Sequence, residues 1–125
     1  MINELSKEIY QNARNKGFFD SKKNIGEMLC LIHSEVSEAL EADRKNMYSD
    51  WSNDVPPIIQ PEQLKDKEYI TNFEHLIKNN FEDELADIMI RVMELAAFKG
   101  IDLEYHIKAK IRYNSLREHK HGKKY

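Results

Sequence analysis

Two short acidic pairs are the part of this sequence best equipped for chemistry. Glu35 and Glu38 stand three apart in the run HSEVSEALEADR (33–44), and Glu84 and Asp87 stand three apart in ELADIMIRV (84–92). On a helix, three residues is nearly one turn, so both carboxylates of a pair project from one side and reach one ion. Advancing about 100° per residue sets Glu35 and Glu38 on the flank of an apolar stripe centred on Ile32 and Val36. The same construction puts Glu84, Asp87 and Arg91 on one edge of a stripe built by Leu85, Ile88 and Val92. If the two stripes pack, their acidic edges meet. Four crowded carboxylates repel one another and lose hydration, so the cluster is costly until a cation neutralises it. All-oxygen donors select a hard ion, Mg²⁺ or in its place Mn²⁺, which keeps some waters and shares its remaining positions with phosphate oxygens. A di-iron centre requires a Glu-x-x-His pair on each of two helices, and that pattern is absent.

These pairs need helices to carry them, and the sequence supplies helical signals nearly throughout. Glycine is scarce and the three prolines all fall between Pro56 and Pro61, so the rest of the chain is free to be helical. Ile2, Leu5, Ile9 and Ala13 give a first helix over about 2–16, with Gly17 as its stop. Asn24 followed by Glu27 reads as a capping box opening a second helix to about 45, striped by Ile25, Met28, Leu29, Ile32, Val36, Ala39 and Leu40. Periodicity then lapses, and about 46–70 reads as a long connection with turn chemistry. Thr71 with Glu74 offers another capping box, so a third helical region is expected from about 72, with a break at Asn79–Asn80. Phe81, Leu85, Ile88, Met89, Val92, Leu95 and Ala96 stripe the segment that ends at Gly100. Asp102 caps a last helix carrying Leu103, Ile107 and Ile111 to about 118, before a basic tail at about 118–125. The expectation is a single all-α domain over 1–125, a four-helix bundle with short additional helices, without strand alternation or internal repeat.

Composition narrows the functional classes. A formal net charge of -3 with 33% charged residues gives no general reason to expect a nucleic-acid polymer as partner. No apolar run is long enough for a bilayer and no secretory signal is visible, so a cytoplasmic protein without membrane association is expected. The single Cys30 fits a reducing compartment and reads as a small buried hydrophobe. Acidic residues gather at 27–43 and 82–87 while 108–124 is basic apart from Glu118, a division that suits a substrate carrying both metal and phosphate. Arg91, one turn beyond Asp87, is the first candidate for phosphate, and Lys110, Asn114 and Arg117 follow i, i+4, i+7 spacing on one face of the last helix. Phe18, Phe19 and Trp51 are aromatic candidates for a base. Leu95, Phe98 and Ile101 exceed what one small bundle buries, which points to self-association.

The run Gly17-Phe18-Phe19, Asn24, Leu31-Ile32-His33-Ser34-Glu35, Glu38-Ala39-Leu40-Glu41-Ala42, then 81–97 and the ending Lys110, Tyr113-Asn114, Arg117, His121-Gly122 resembles the MazG-like branch of the all-α NTP pyrophosphohydrolases. That resemblance covers most of the chain. It implies that Glu35, Glu38, Glu84 and Asp87 bind Mg²⁺ and carry catalysis, and that Lys110, Asn114 and Arg117 contact phosphates. It implies hydrolysis of a nucleoside triphosphate to the monophosphate and pyrophosphate by a homodimer or homotetramer. Either Glu35 or Glu38 would serve as general base. The separation of Glu38 from Glu84 is greater than in compact members of that branch. A non-catalytic nucleotide-binding or regulatory helical module using the same pocket is the alternative reading.

Overall fold

The computed structural model describes residues 1–49 and 65–125. Among them the chain forms five α-helices, α1 (Ile2–Asn15), α2 (Ile25–Arg44), α3 (Asp66–Leu76), α4 (Phe81–Phe98) and α5 (Leu103–Ser115), then a 3₁₀ turn at His119–Gly122, and no strand. The protein is all-α. No described helix is long and apolar enough to cross a membrane. The described residues gather into two compact units, one of Met1–Lys23 with Val92–Tyr125 and one of Asn24–Arg91.

In the first unit, α1 ends where Gly17 takes the left-handed backbone (φ 85°) that a side chain would disfavour. Phe18 N–H then returns to Ala13 C=O at 3.0 Å. Tyr10, Phe19 and Phe98 close an aromatic cluster, the first two edge-on with centroids 4.8 Å apart. At the other end of α1, Asn3 Nδ2 donates to Asp102 Oδ1 and Asn3 Oδ1 accepts from Glu104 N–H, tying α1 to the start of α5. Asp102 caps α5 as its position suggests, its carboxylate accepting from Tyr105 N–H at 3.0 Å.

In the second unit, Asn24 caps α2 by accepting Glu27 N–H at 3.2 Å. The third helical region begins earlier than expected. Thr71 is not a cap but an interior residue of α3, its hydroxyl donating to Lys67 C=O at 3.0 Å. The connection therefore ends before Asp66 rather than near 70, because Asp66 and Glu68 favour a helix N-terminus and outweigh the later Thr-x-x-Glu signal. The expected break at Asn79–Asn80 is present, with Asn79 left-handed at φ 67°.

The buried face of α2 also differs from the apolar stripe. Met28, Glu35, Ala39 and Ala42 are buried while Leu29, Val36 and Leu40 are half or nearly half exposed. The spacing 28, 35, 39, 42 follows one helix face, on which the small Ala39 and Ala42 permit close approach. Glu35 thus sits within the buried face, 7% exposed, and Val36 outside it, 48% exposed. In α4 Glu84 is likewise buried while its neighbour Leu85 and Met89 are exposed. Cys30 is exposed and unpaired, contrary to the buried role expected for it.

Candidate metal and phosphate site

The end of α2 is clasped to the start of α4. Phe81 N–H donates to Met47 C=O at 2.8 Å, and Ser49 N–H donates to Glu82 Oε2 at 3.0 Å. Asn80 Nδ2 donates both to Ser49 Oγ (3.2 Å) and to Leu76 C=O (3.0 Å), and Tyr48 stacks near Phe81 with ring centroids 5.1 Å apart. Further along, Arg91 Nε donates to Glu35 Oε1 at 2.5 Å. Moving forward on α4 from Phe81 to Arg91 therefore moves backward from Met47, just past the end of α2, to Glu35 within it, so the helices run antiparallel. This register brings the two acidic motifs together across the 45 residues between Glu38 and Glu84.

Glu35, Glu38 and Glu84 each present a carboxylate oxygen, all within 4.8 Å of one another. Glu35 and Glu84 are buried and Glu38 is exposed, so the cluster has a closed floor and an open side. Asp87 is half-buried one turn beyond Glu84, close enough for its charge to act on Glu38.

The electrostatics follow from this crowding. Hydrogen bonding with Glu35, then the charges of Glu35, Glu84 and Asp87, push the Glu38 carboxyl up to about 7. Burial alone would raise Glu35, yet its hydrogen bonds with Glu38 and Arg91 and the guanidinium charge outweigh it, leaving Glu35 below its ordinary value. Glu84 is raised, first by burial and then by Asp83, Asp87 and Glu35, against the hydrogen bond from Glu38. Asp87 is raised by burial and by Asp83 and Glu35, against Arg91. Partial protonation of Glu38 near neutral pH thus relieves the repulsion among the other acids. That is the service a divalent cation performs better, and three converging hard-oxygen donors fit Mg²⁺ or Mn²⁺.

The other sequence candidates fall in different places. Arg91, expected on phosphate, is committed through Nε to Glu35. Lys110, Asn114 and Arg117 belong to the unit containing α1 and α5. There Lys110 Nζ and Arg117 Cζ lie 4.8 and 5.5 Å from the Tyr113 ring centroid, and Arg117 Nη2 donates to His121 C=O. Asn114 is exposed on α5. Phe18 belongs to the same unit and is 63% exposed, whereas its neighbour Phe19 joins the aromatic cluster. Trp51 lies outside the described residues. The lone Glu-x-x-His spacing, Glu118 to His121, spans the left-handed Lys120 and His121 of the 3₁₀ turn, so it presents no helical ligand pair.

The sequence reading missed a groove between α3 and α4 of about 540 Å³, lined by residues including Tyr69, Ile70, Phe73, Lys78, Asp87 and Ile90. The i, i+4 aromatic pair Tyr69 and Phe73 was its available signal. It is hidden in the sequence because periodicity lapses up to Tyr69, which places that residue in the connection.

Comparison with protein-family models, with curated proteins and with solved structures gives no match to this chain.

Proposed function

We propose that this protein is an Mg²⁺-dependent nucleoside triphosphate pyrophosphohydrolase of the MazG-like all-α type. The observation carrying this reading is the convergence of Glu35, Glu38 and Glu84 from two antiparallel helices, with carboxylate oxygens within 4.8 Å. Glu35, Glu38 and Glu84, with Asp87 beside them, would hold the cation. When bound, Mg²⁺ supplies charge neutralisation on the phosphate chain and lowers the pKa of water. Arg91 fixes Glu35 in place and keeps it ionised, which makes Glu35 a ligand and a poor base. Glu38 is exposed while Glu35 is buried, so of the two glutamates it is better placed to take a proton from attacking water, through the carboxylate oxygen not turned to the cation. Water oxygen bonds to the α phosphorus, the anhydride bond to the β phosphate breaks, and pyrophosphate leaves with the electron pair.

The assembly is proposed to be a homodimer or homotetramer. Leu29, Val36 and Leu40 on α2 and Leu85 and Met89 on α4 are each between 44% and 50% exposed, an apolar surface suited to a second copy. Pyrophosphate release from the eight common ribo- and deoxyribonucleoside triphosphates, with and without Mg²⁺, tests the activity. Glu38→Gln and Asp87→Asn are expected to fold and to lose at least about 100-fold in kcat. Full Mg²⁺-dependent turnover in both folded variants would refute the site.

A further inference from the structure

Resting on that reading and deepening it, we infer that the α3–α4 groove receives the nucleoside end of the substrate, with the base against Tyr69 and Phe73. The groove holds about 540 Å³, within the range of roughly 300–1,000 Å³ typical of small-molecule sites. Its walls are two helix faces, 69, 70, 73 and 74 from α3 and 83, 86, 87 and 90 from α4. Tyr69 and Phe73 lie with ring centroids 6.2 Å apart and planes 35° apart, offering an aromatic surface one helical turn long. Ile70 and Ile90 supply apolar contact, 54% and 40% exposed.

Charge decides which end of a nucleotide enters. Glu74, Asp83 and Asp87 line the groove, with Lys78 as its single cation among the described residues, so a polyphosphate would be repelled while a neutral ring is accepted. Asp87 belongs to both places. It lines the groove and acts electrostatically on Glu38 in the acidic cluster. A nucleotide with its base on α3 therefore has its phosphates leaving the groove on the side where a cation would be held. Base stacking is tolerant of base identity, and the aromatic pair by itself requires only a planar ring.

The test uses the full ¹⁵N-labelled chain without divalent metal, titrated separately with ribo- and deoxyribonucleoside monophosphates and followed by amide NMR. The expected result is shifts at Tyr69, Ile70, Phe73 and Ile90. Phe73→Leu, which keeps the apolar volume but removes the ring, is expected to weaken binding about tenfold. Ile90→Trp, at an exposed helix position, is expected to fill the groove and abolish binding even if Phe73→Leu fails to fold. Absence of shifts with every monophosphate, or shifts confined to other residues, would overturn the assignment. So would concentration-dependent shifts at the groove without nucleotide, which would mark a second copy of the chain there. Turnover separates the two ideas. Groove binding without any triphosphate hydrolysis would sink the pyrophosphohydrolase reading and leave the groove standing. Hydrolysis with KM unchanged in both variants would do the reverse.

Discussion

If the clustered acids hold a cation, displacement of the proton that Glu38 carries near neutrality makes its binding a measurable proton-release reaction. Glu38, pushed up to about 7 by its hydrogen bond to Glu35 and by the charges around it, must be ionised to contribute a full charge to a cation. The ionised fraction is then about one tenth at pH 6, one half at pH 7 and nine tenths at pH 8. If Mg²⁺ binds only the ionised form, its Kd is expected to be about tenfold weaker at pH 6 than at pH 8, with about half a proton released per ion at pH 7. Calorimetric Mg²⁺ titration at the three pH values, repeated in buffers of different ionisation enthalpy, reads both quantities. Glu38→Gln is expected to bind Mg²⁺ more weakly at pH 8 and to flatten the pH dependence. A Kd in the wild type that is constant within twofold from pH 6 to 8, with no proton released, would refute the shared-proton argument.

The same titration fixes the sign of a stability effect. Because the folded pKa of Glu38 lies above its ordinary 4.5, the native chain binds more protons than the unfolded chain between about 4.5 and 7. Metal-free stability from this group is thus present at low pH and lost as pH rises through that window. Glu84 and Asp87, also raised, act in the same direction, while Glu35, lowered, opposes them. Metal-free Glu38→Gln should consequently melt above the wild type at pH 8, with the advantage shrinking toward pH 5. Added Mg²⁺ should reverse the order by stabilising the wild type more.

Arg91→Ala leaves buried Glu35 without its guanidinium, and because the arginine side chain is 36% exposed the cost should be about 1–2 kcal/mol, below that of a fully buried pair. Thermal melts check it, and saturating Mg²⁺ should recover part of the loss by neutralising Glu35. Asn80→Ala removes one hydrogen bond across the α2–α4 clasp, to Ser49, and one back to Leu76 at the end of α3, and should cost about 1–2 kcal/mol, read from denaturant midpoints, with weakened Mg²⁺ affinity as the register loosens. Val36→Glu with Leu40→Glu, both about half exposed, should convert an oligomer to a monomer by light scattering at micromolar concentration while circular dichroism stays helical.

Much of the fold was legible because its signals are local. Asn24 and Asp102 cap α2 and α5 with their side chains, and glycines mark the ends of α1 and α4 through left-handed backbone. The capping contest at Asp66 and Thr71 was not legible, since both signals are valid and only the energy of the whole segment chooses between them. Burial was the other failure. Sequence periodicity ranks Val36 and Leu85 as core and the adjacent acids as edge, yet Glu35 and Glu84 are the buried residues.

That inversion has a physical consequence for the candidate site. A helix turns about 100° per residue, so placing Glu35 inside necessarily carries Val36 outward, and placing Glu84 inside does the same to Leu85. Within one chain, this arrangement surrenders apolar burial and confines charge, two unfavourable changes made together. Arg91 compensates Glu35 and the proton on Glu38 relieves the remaining crowding, which makes the apo arrangement sustainable without making it favourable. A cation in the cluster and a second copy on the outward apolar faces would remove the two costs separately. Metal binding and association are therefore expected to stabilise the same helix orientation, so that Mg²⁺ tightens association and the association-breaking variants weaken Mg²⁺ binding, the per-site factor entering dimerisation once for each protomer's ion.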